Sequence, residues 1–188
     1  MQIINKMHGH RNTYTQLQGL IDLLFYIPEE LTLLPIIEIG TFSGDAAIIF
    51  SLKFPSVIAI DPIGGTIDFI NTVGLSSDAV IGQFVRNTED KNISLIRKKS
   101  DDAVSDIQDD FVGCVYVDGF HSYEQCKKDI LNYWNKLIDG GLMCGHDYMN
   151  QDTPGVTRAV QELFGEPDVY FIDWSWAVKK TAGRLKNA

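Results

Sequence analysis

This sequence lacks the features of disulfide-rich, zinc-stapled and membrane-spanning proteins. It has three cysteines, Cys114, Cys126 and Cys144, an odd number without the paired spacing of a metal site. Cys114 and Cys144 lie in apolar strands and Cys126 lies on the apolar face of a helix, so all three are predicted to be small buried side chains. No apolar run is long enough to cross a bilayer, and residues 1–10 lack the apolar stretch of a signal peptide. We therefore expect a reducing, cytoplasmic location without membrane contact.

Basic charge is also scarce. Lys and Arg number 16 against 25 Asp and Glu, which gives a net charge of -9. An acidic surface repels phosphate backbones, so nucleic acid is not expected as a partner. Hydrophobic residues, by contrast, make up 45% of the 188 residues, enough for a packed core. Without a repeat or a long linker, the chain is predicted to form a single domain over residues 1–188.

Strand and helix signals alternate along the chain. The β-branched or apolar runs predict strands at 35–39, 56–61, 93–97, 111–118 and 142–145, and a terminal hairpin at 169–172 and 176–180. Helical spacing predicts helices at 13–27, 44–54, 76–90, 101–108, 122–139 and 155–164. Ser122 and Gln125 form a capping box for the fifth helix, which is predicted to end at Gly140-Gly141.

This β-α-β-α pattern predicts an α/β fold, with a mainly parallel sheet covered by helices on both faces. Ligands in such folds bind at the carboxyl ends of the strands, near the point where the strand order reverses. The chemically active side chains of this sequence follow predicted strands, as that rule requires.

The first strand runs into the turn Glu38-Ile-Gly-Thr-Phe-Ser-Gly44. Gly40 allows a sharp turn, and Gly44 is expected to let the helix start approach a ligand or the sheet closely. A dinucleotide-binding turn would be Gly-x-Gly-x-x-Gly, whereas here Phe42 occupies the middle position, which argues against a pyrophosphate. Glu38 is a carboxylate in an apolar run, so it must either pair with a backbone group or a basic side chain, or bind a cationic ligand group.

The next two strand ends also carry polar side chains. Asp61 lies 21 residues after Gly40, where an acidic residue would bind two ribose hydroxyls; the alternative is a turn-initiating Asp-Pro. Ser100 and Asp101 follow the third strand and are candidates for contact with an adenine amino group. Ser100 would also serve as a helix N-cap.

The most informative polar cluster follows the fourth and fifth strands. Asp118 ends an apolar strand, His121 comes three residues later, and His146-Asp147 follow the next strand. Because these strands are expected to be neighbours, the four side chains are predicted to converge. Two carboxylates and two imidazoles suit a divalent cation or general-base chemistry. Asp129, in the helix between them, is interpreted as solvated or salt-bridged on the polar face.

The motif at residues 38–44 resembles the first motif of class I S-adenosylmethionine (SAM)-dependent methyltransferases, in particular the catechol and caffeoyl-CoA O-methyltransferase type. Asp118-Gly-Phe-His-Ser-Tyr123, with Trp134, Gly140-Gly141 and His146-Asp-Tyr148, is similar to the macrolide-sugar O-methyltransferase-like branch. The resemblance covers roughly residues 35–150. It implies a Rossmann-like, doubly wound sheet of seven strands whose C-terminal strand is antiparallel.

The resemblance also implies a cofactor site and a cation site. The residues predicted to bind SAM are Glu38, Gly40, Thr41, Phe42, Gly44, Asp61, Ser100, Asp101 and Asp118. A magnesium-type cation is implied at Asp118 and Asp147, and His121, Asp118 and His146 are predicted to be catalytic. The sequence departs from the catechol type at Tyr148, where that type has an Asn ligand; Asn150 is a hypothetical substitute.

The sequence therefore predicts a SAM-dependent methyltransferase that acts on a hydroxyl group of a small-molecule acceptor. Two alternatives are an NAD(P)-dependent oxidoreductase on a similar sheet, and a non-catalytic SAM- or nucleotide-binding module. The turn with Phe42 argues against the first, and the second would need no base or metal cluster. The N-terminal helical segment 1–30 is expected to pack on or cap the core. This segment and the 62–80 loop, or a second subunit in a homodimer, would cover the site.

Overall fold

A single sheet organises the protein, whose computed structural model describes residues 14–63 and 76–186. Its strands are β1 Ile36–Ile39, β2 Val57–Ile60, β3 Ile93–Ile96, β4 Val112–Val117, β5 Leu137–Gly145, β6 Val169–Tyr170 and β7 Trp176–Lys179. They lie in the order β3-β2-β1-β4-β5-β7-β6; β1 to β5 are parallel, and β7 is antiparallel to both β5 and β6. The predicted mostly parallel sheet with an antiparallel C-terminal strand is confirmed.

Helices cover both faces of this sheet. They are α1 Tyr14–Tyr26, α2 Asp45–Phe50, α3 Ser77–Thr88, α4 Ser100–Ala103, α5 Tyr123–Trp134 and α6 Pro154–Phe164. A 3-10 helix, Glu29–Leu33, separates α1 from β1. Residues 1–13 of the predicted N-terminal segment, and 64–75 of the predicted covering loop, lie outside the described residues. None of the described helices is long and apolar enough to cross a membrane.

Strand β4 shows how the sequence fills both layers of the core. All six of its residues are buried, as expected for a central parallel strand. Val115 and Val117 pack on one face with α5 and α6, whereas Cys114 and Tyr116 pack on the other with α1 and α2. All three cysteines are buried and unpaired, as predicted.

The predicted end of the fifth helix was wrong. Helix α5 begins after the Ser122 cap, whose Oγ accepts the Gln125 N–H at 3.2 Å, but it ends at Trp134. Strand β5 begins at Leu137 and already contains Gly140-Gly141. Gly140 has φ +80°, and the pairing of β4 with β5 shifts register nearby. The two glycines therefore form an irregularity within a strand instead of a helix stop.

The strand order reverses between β1 and β4. The Gly40 N–H donates to Ile60 O at 2.8 Å, and the Asp118 N–H donates to Ile39 O at 2.8 Å. These bonds extend the parallel ladder by one residue and bring the loops after β1, β2 and β4 together. This is the edge of the sheet at which ligands bind in folds of this kind.

Candidate active site

The glycine turn after β1 lies against the end of β4. Gly40 has φ +87°, and a Cβ at this position would be 2.1 Å from the Asp118 carbonyl oxygen. No side chain fits there, so Gly40 is required both by conformation and by space. Gly44 also has positive φ, but a Cβ there would meet Phe84 and Thr88 at 3.1 Å. The side of Gly44 on which a Cβ would lie is therefore packed against α3, and the expected contact of this glycine with a ligand stays a prediction.

Glu38 is buried in the middle of this turn region, with 1% of its surface exposed. The Thr41 hydroxyl, from the same turn, donates to Glu38 Oε2 at 2.6 Å. This partner is a neutral hydroxyl, which is neither the backbone group nor the basic side chain that the sequence offered as the alternative to a ligand. The bond fixes the carboxylate at the end of β1, where the turn begins.

Asp61 ties the turn to the loop after β2. Its Oδ2 accepts the Phe42 N–H at 2.9 Å, and its Oδ1 accepts the Ile63 N–H at 2.7 Å. The second bond is the i to i+2 bond of an Asx turn, so the turn-initiating role is present. Phe42 has φ +47°, an unusual conformation for an aromatic residue, which the bond to Asp61 helps to hold.

The residues after β3 face helix α5. Gln125 Nε2 lies 3.3 Å from Ser100 Oγ, 3.4 Å from Asp101 Oδ1 and 3.0 Å from Asp129 Oδ1. Lys128 Nζ donates to Asp101 Oδ2 at 2.7 Å. The N-cap of α4 is Lys99, without a side-chain bond, so Ser100 is not the cap.

Asp129 is a buried residue whose environment the sequence interpretation missed. Only 1% of its surface is exposed, so the expected solvated position was wrong. Burial raises the pKa of the Asp129 carboxyl to about 6, against the lowering effect of hydrogen bonds with Ser100 and Gln125. Its spacing from Cys126 and Tyr133, at i+3 and i+4, could have shown that it lies on the apolar face of the helix.

The structure brings together the four side chains that follow β4 and β5. His121 Nε2 lies 3.0 Å from Asp147 Oδ2 and 3.7 Å from Asp118 Oδ1. His146 Nδ1 lies 3.2 Å from Asp147 Oδ2 and 3.8 Å from Asp118 Oδ1. We call Asp118, His121, His146 and Asp147 the His-Asp cluster.

The charges of this cluster are strongly coupled. The Asp118 and Asp147 carboxylates, the second of which is nearer, raise the pKa of His121 to about 10 although burial opposes the shift. Burial raises the pKa of Asp147, but contacts with His121 and His146 outweigh it and hold this pKa well below its usual value. His121 is therefore an imidazolium at neutral pH unless another positive charge offsets the carboxylates.

A further carboxylate, Asp173, lies behind His146 and was not singled out in the sequence. Its Oδ2 is 4.0 Å from His146 Nε2. The Ser175 N–H donates to Asp173 Oδ1, and the Ser175 hydroxyl donates to Asp173 Oδ2. Trp176 Nε1 donates to His146 O at 3.2 Å, which holds the backbone at this point. Asp173 comes from the β6–β7 hairpin, so only the tertiary fold places it at the site.

Three members of the cluster have the donor arrangement of a cation site. One ligand atom each from Asp118, His121 and Asp147 lies within 4.8 Å of the others. Asp147 has φ +65°, and Asn150 Nδ2 donates to its Oδ1 at 2.5 Å. Tyr148 is turned away, since its hydroxyl donates to Glu166. Two carboxylates and an imidazole are a set that divalent manganese, iron or zinc accepts, so the residues fit a divalent cation.

Comparison with known proteins agrees with this geometry. The family described as a methyltransferase domain matches residues 37–148, which is more than half of the chain and spans both the glycine turn and the His-Asp cluster. A search of curated proteins found no significant match. The match to this family therefore shows to which family the chain belongs. Solved structures of low sequence identity show only that the fold is shared.

Several solved structures share the fold at low sequence identity. The O-methyltransferase NovP aligns with a TM-score of 0.62 and 18% identity, over 87% of this chain and 77% of its own. The N-methyltransferase NodS from Bradyrhizobium japonicum, in complex with S-adenosyl-L-homocysteine (SAH), gives 0.62 and 13%, over 95% and 94%. The tRNA methyltransferase TrmI from Aquifex aeolicus gives 0.59 and 15%, over 90% of this chain but only 62% of its own length.

Proposed function

This chain belongs to the class I SAM-dependent methyltransferases, and we propose that it transfers a methyl group to a hydroxyl group of a small molecule. The observation that carries this proposal is the contact between the glycine turn and the His-Asp cluster. Gly40 lies directly against the backbone of Asp118, so the cofactor turn and the proton-accepting groups share one edge. SAM supplies an electrophilic methyl group, and the chain must supply alignment and a proton acceptor.

The residues around the turn are suited to hold SAM. We assign Glu38 to the amino group of its methionine part, because a buried carboxylate is stabilised by a cationic partner. Each oxygen of Asp61 already accepts one backbone N–H and can accept a further bond, so this carboxylate is assigned to the ribose hydroxyls. Ser100 and Asp101 are assigned to the adenine end, beside Gln125.

The His-Asp cluster is assigned to the acceptor. His121 is the most exposed side chain of the cluster, so we assign to it the role of taking the proton of an acceptor hydroxyl. Asp147 and Asp118 hold its ring in place, and His146 contacts the same oxygen of Asp147. We assign a divalent cation to Asp118 and Asp147, which leaves the imidazole of His121 free to accept a proton. When bound, it supplies positive charge that offsets the carboxylates, so that His121 can be neutral near pH 7.

Calorimetry with the full chain tests the cofactor part of this proposal. We expect SAM and SAH to bind and NAD not to bind. Glu38→Gln should weaken SAM binding by about tenfold, as expected for losing one charge-assisted hydrogen bond. The matched control is Glu30→Gln, an exposed glutamate in the 3-10 helix. Absence of SAM binding at high micromolar concentration would contradict the proposal.

Acceptor-dependent release of SAH separates an enzyme from a non-catalytic SAM-binding module.

Thermal unfolding with added Mn²⁺ or Mg²⁺ tests the cation, and Asp147→Ala should abolish any stabilisation by the metal. The net charge of -9 makes RNA a poor acceptor despite the fold shared with a tRNA methyltransferase. Light scattering tests the proposed homodimer.

A further inference from the structure

Helix α5 presents one side to the two residues that follow β3. Gln125, Asp129 and Tyr133 are spaced four residues apart, so successive turns of the helix place them in one row. The Tyr133 hydroxyl donates to Ser100 O at 2.8 Å. Gln125 Nε2 lies 3.3 Å from Ser100 Oγ and 3.4 Å from Asp101 Oδ1. The residues assigned to the adenine end of the cofactor are therefore held by α5.

The side-chain amide of Gln125 has fewer hydrogens than it has acceptors around it. Its Nε2 carries two N–H groups. Three oxygens surround this nitrogen, namely Asp129 Oδ1 at 3.0 Å, Ser100 Oγ at 3.3 Å and Asp101 Oδ1 at 3.4 Å. Two hydrogens make at most two well-directed bonds, so the three oxygens compete for this amide. The contact with Asp129 is the shortest of the three, and the contact with Asp101 is the longest.

Asp129 is the first acceptor of this amide because it is buried. Only 1% of its surface is exposed, so its carboxylate depends on donors from the protein. Those donors are the side chains of Gln125 and Ser100. The end of β4 lies beside it, since a Cβ on Gly119 would be 3.8 Å from Asp129 Oδ2. Loss of the N–H from Gln125 would leave the buried carboxylate short of a donor, which is strongly unfavourable.

Asp101, by contrast, is partly exposed and has another charged partner. Its Oδ2 accepts from Lys128 Nζ at 2.7 Å, so only Oδ1 competes for Gln125. Asn132 Nδ2 lies 3.5 Å from the same Oδ1. A carboxylate oxygen has two acceptor positions, which Asn132 and Gln125 together would fill. While Gln125 serves Asp129, one position on Asp101 Oδ1 stays available, and the amino group of adenine is a donor that fits it.

We propose that Asp129 is a positioning residue for the cofactor, which holds the Gln125 amide away from Asp101 so that Asp101 Oδ1 selects a base that carries an amino group. The inference rests on the proposed SAM site. It adds that the base is selected with the help of a buried carboxylate on α5, which acts only through Gln125.

Calorimetry on the full chain compares SAH with its 6-deamino analogue, in which hydrogen replaces the amino group of adenine. We expect the wild-type chain to bind SAH at least about tenfold more tightly, the effect of one hydrogen bond to a charged group. In Asp129→Ala, Gln125 is released toward Asp101, and the preference should fall below about threefold. Asp129→Asn keeps an acceptor for Gln125 and should keep most of the preference.

The double variant Asp129→Ala/Gln125→Ala distinguishes positioning from simple support of the fold. It also removes the competing amide, so the preference for SAH should return although more contacts have been lost. The backbone N–H of Gln125, which bonds to the Ser122 cap, is left intact. The control is Asp102→Ala, which removes an exposed acid of α4 and should leave the preference unchanged.

An unchanged preference in Asp129→Ala, no recovery in the double variant, or equal binding of both compounds by the wild-type chain would overturn the inference. Where Asp129→Ala binds neither compound, recovery of the preference in the double variant decides the question. Failure of the wild-type chain to bind SAH at high micromolar concentration would instead refute the proposed function.

Discussion

The carboxyl edge of the sheet has two sides whose carboxylate side chains differ in their hydrogen-bond partners. On the side of β1 and β2, the donors are neutral and come from the loops themselves. Asp61 accepts the backbone N–H groups of Phe42 and Ile63, and Glu38 accepts the hydroxyl of Thr41. The positions of these two carboxylates are therefore fixed once the chain has folded.

On the side of β4 and β5, the acids face groups that can change charge. Asp147 lies 3.0 Å from His121 and 3.2 Å from His146, and its neighbour Asp118 lies within 4 Å of both rings. Any proton or cation that enters alters every member of the cluster. We infer that the first side binds the cofactor and the second performs the chemistry. Each prediction below tests that separation.

Loss of the base should give the largest effect. His121→Ala is expected to lower kcat by about 10²–10⁴-fold, the usual contribution of a general base. SAM affinity should stay unchanged, because the ring lies on the chemical side. Steady-state kinetics and calorimetry on the same preparation measure the two quantities. Intact turnover would show that His121 is not the base. A large loss of SAM affinity would show that the side of β4 and β5 also binds the cofactor.

Gly40 joins the two sides, so its substitution should damage both. In Gly40→Ala, the new Cβ would lie 2.1 Å from Asp118 O and the residue would keep φ near +87°. We expect the free energy of unfolding to fall by about 2–5 kcal/mol, from left-handed strain and overpacking together. SAM binding should be lost as well. Denaturant unfolding and calorimetry provide the measurements.

The matched control for this change is Gly183→Ala. Gly183 has φ +73°, but nothing lies within 4 Å of the position that the new methyl group would take. The change should cost only the strain, about 1–2 kcal/mol. Equal destabilisation by the two variants would show that the contact with Asp118 does not matter.

The sequence predicted the glycine turn and the His-Asp cluster because both depend on local rules. A parallel sheet places consecutive strand ends at one edge, and Gly40 is recognisable from the turn alone. Asp173 could not be found in this way. It is positioned by the β6–β7 hairpin and by α1, whose Gly19 could not carry a Cβ without meeting Asp173 Oδ1 at 2.0 Å.

Asp129 illustrates the same limit in a helix. A carboxylate on the same helix face as Ser122 and Gln125 suggests a solvated position, whereas Asp129 is buried and hydrogen-bonds with Ser100 after β3. Gly140-Gly141 were misinterpreted for a related reason. Whether two glycines end a helix or lie within a strand depends on the element that packs against them, and Gly141 lies against Gly113 of β4.

The buried Asp129 should give stability a pH dependence of its own. Its pKa is about 6 when folded and 3.8 when exposed, so the unfolded chain ionises first as pH rises. The contribution of Asp129 to the free energy of unfolding should therefore fall between about pH 4 and pH 6, by about 2–3 kcal/mol, and stay level above. Asp129→Asn should remove this slope. Identical pH profiles for the two proteins would show that the carboxylate is not buried in solution.

Asp61 should give the smallest effect and the clearest test of the two-sided edge. Asp61→Asn keeps the shape of the side chain but replaces one acceptor oxygen with a donor, so either Phe42 or Ile63 loses its bond. We expect SAM affinity to fall about tenfold, in line with one charged hydrogen bond, while kcat at saturating SAM is retained. Asp78→Asn, in the exposed first turn of α3, is the control. Should kcat fall instead with SAM affinity intact, Asp61 would act on the chemical step, and the division between a binding side and a chemical side would be wrong.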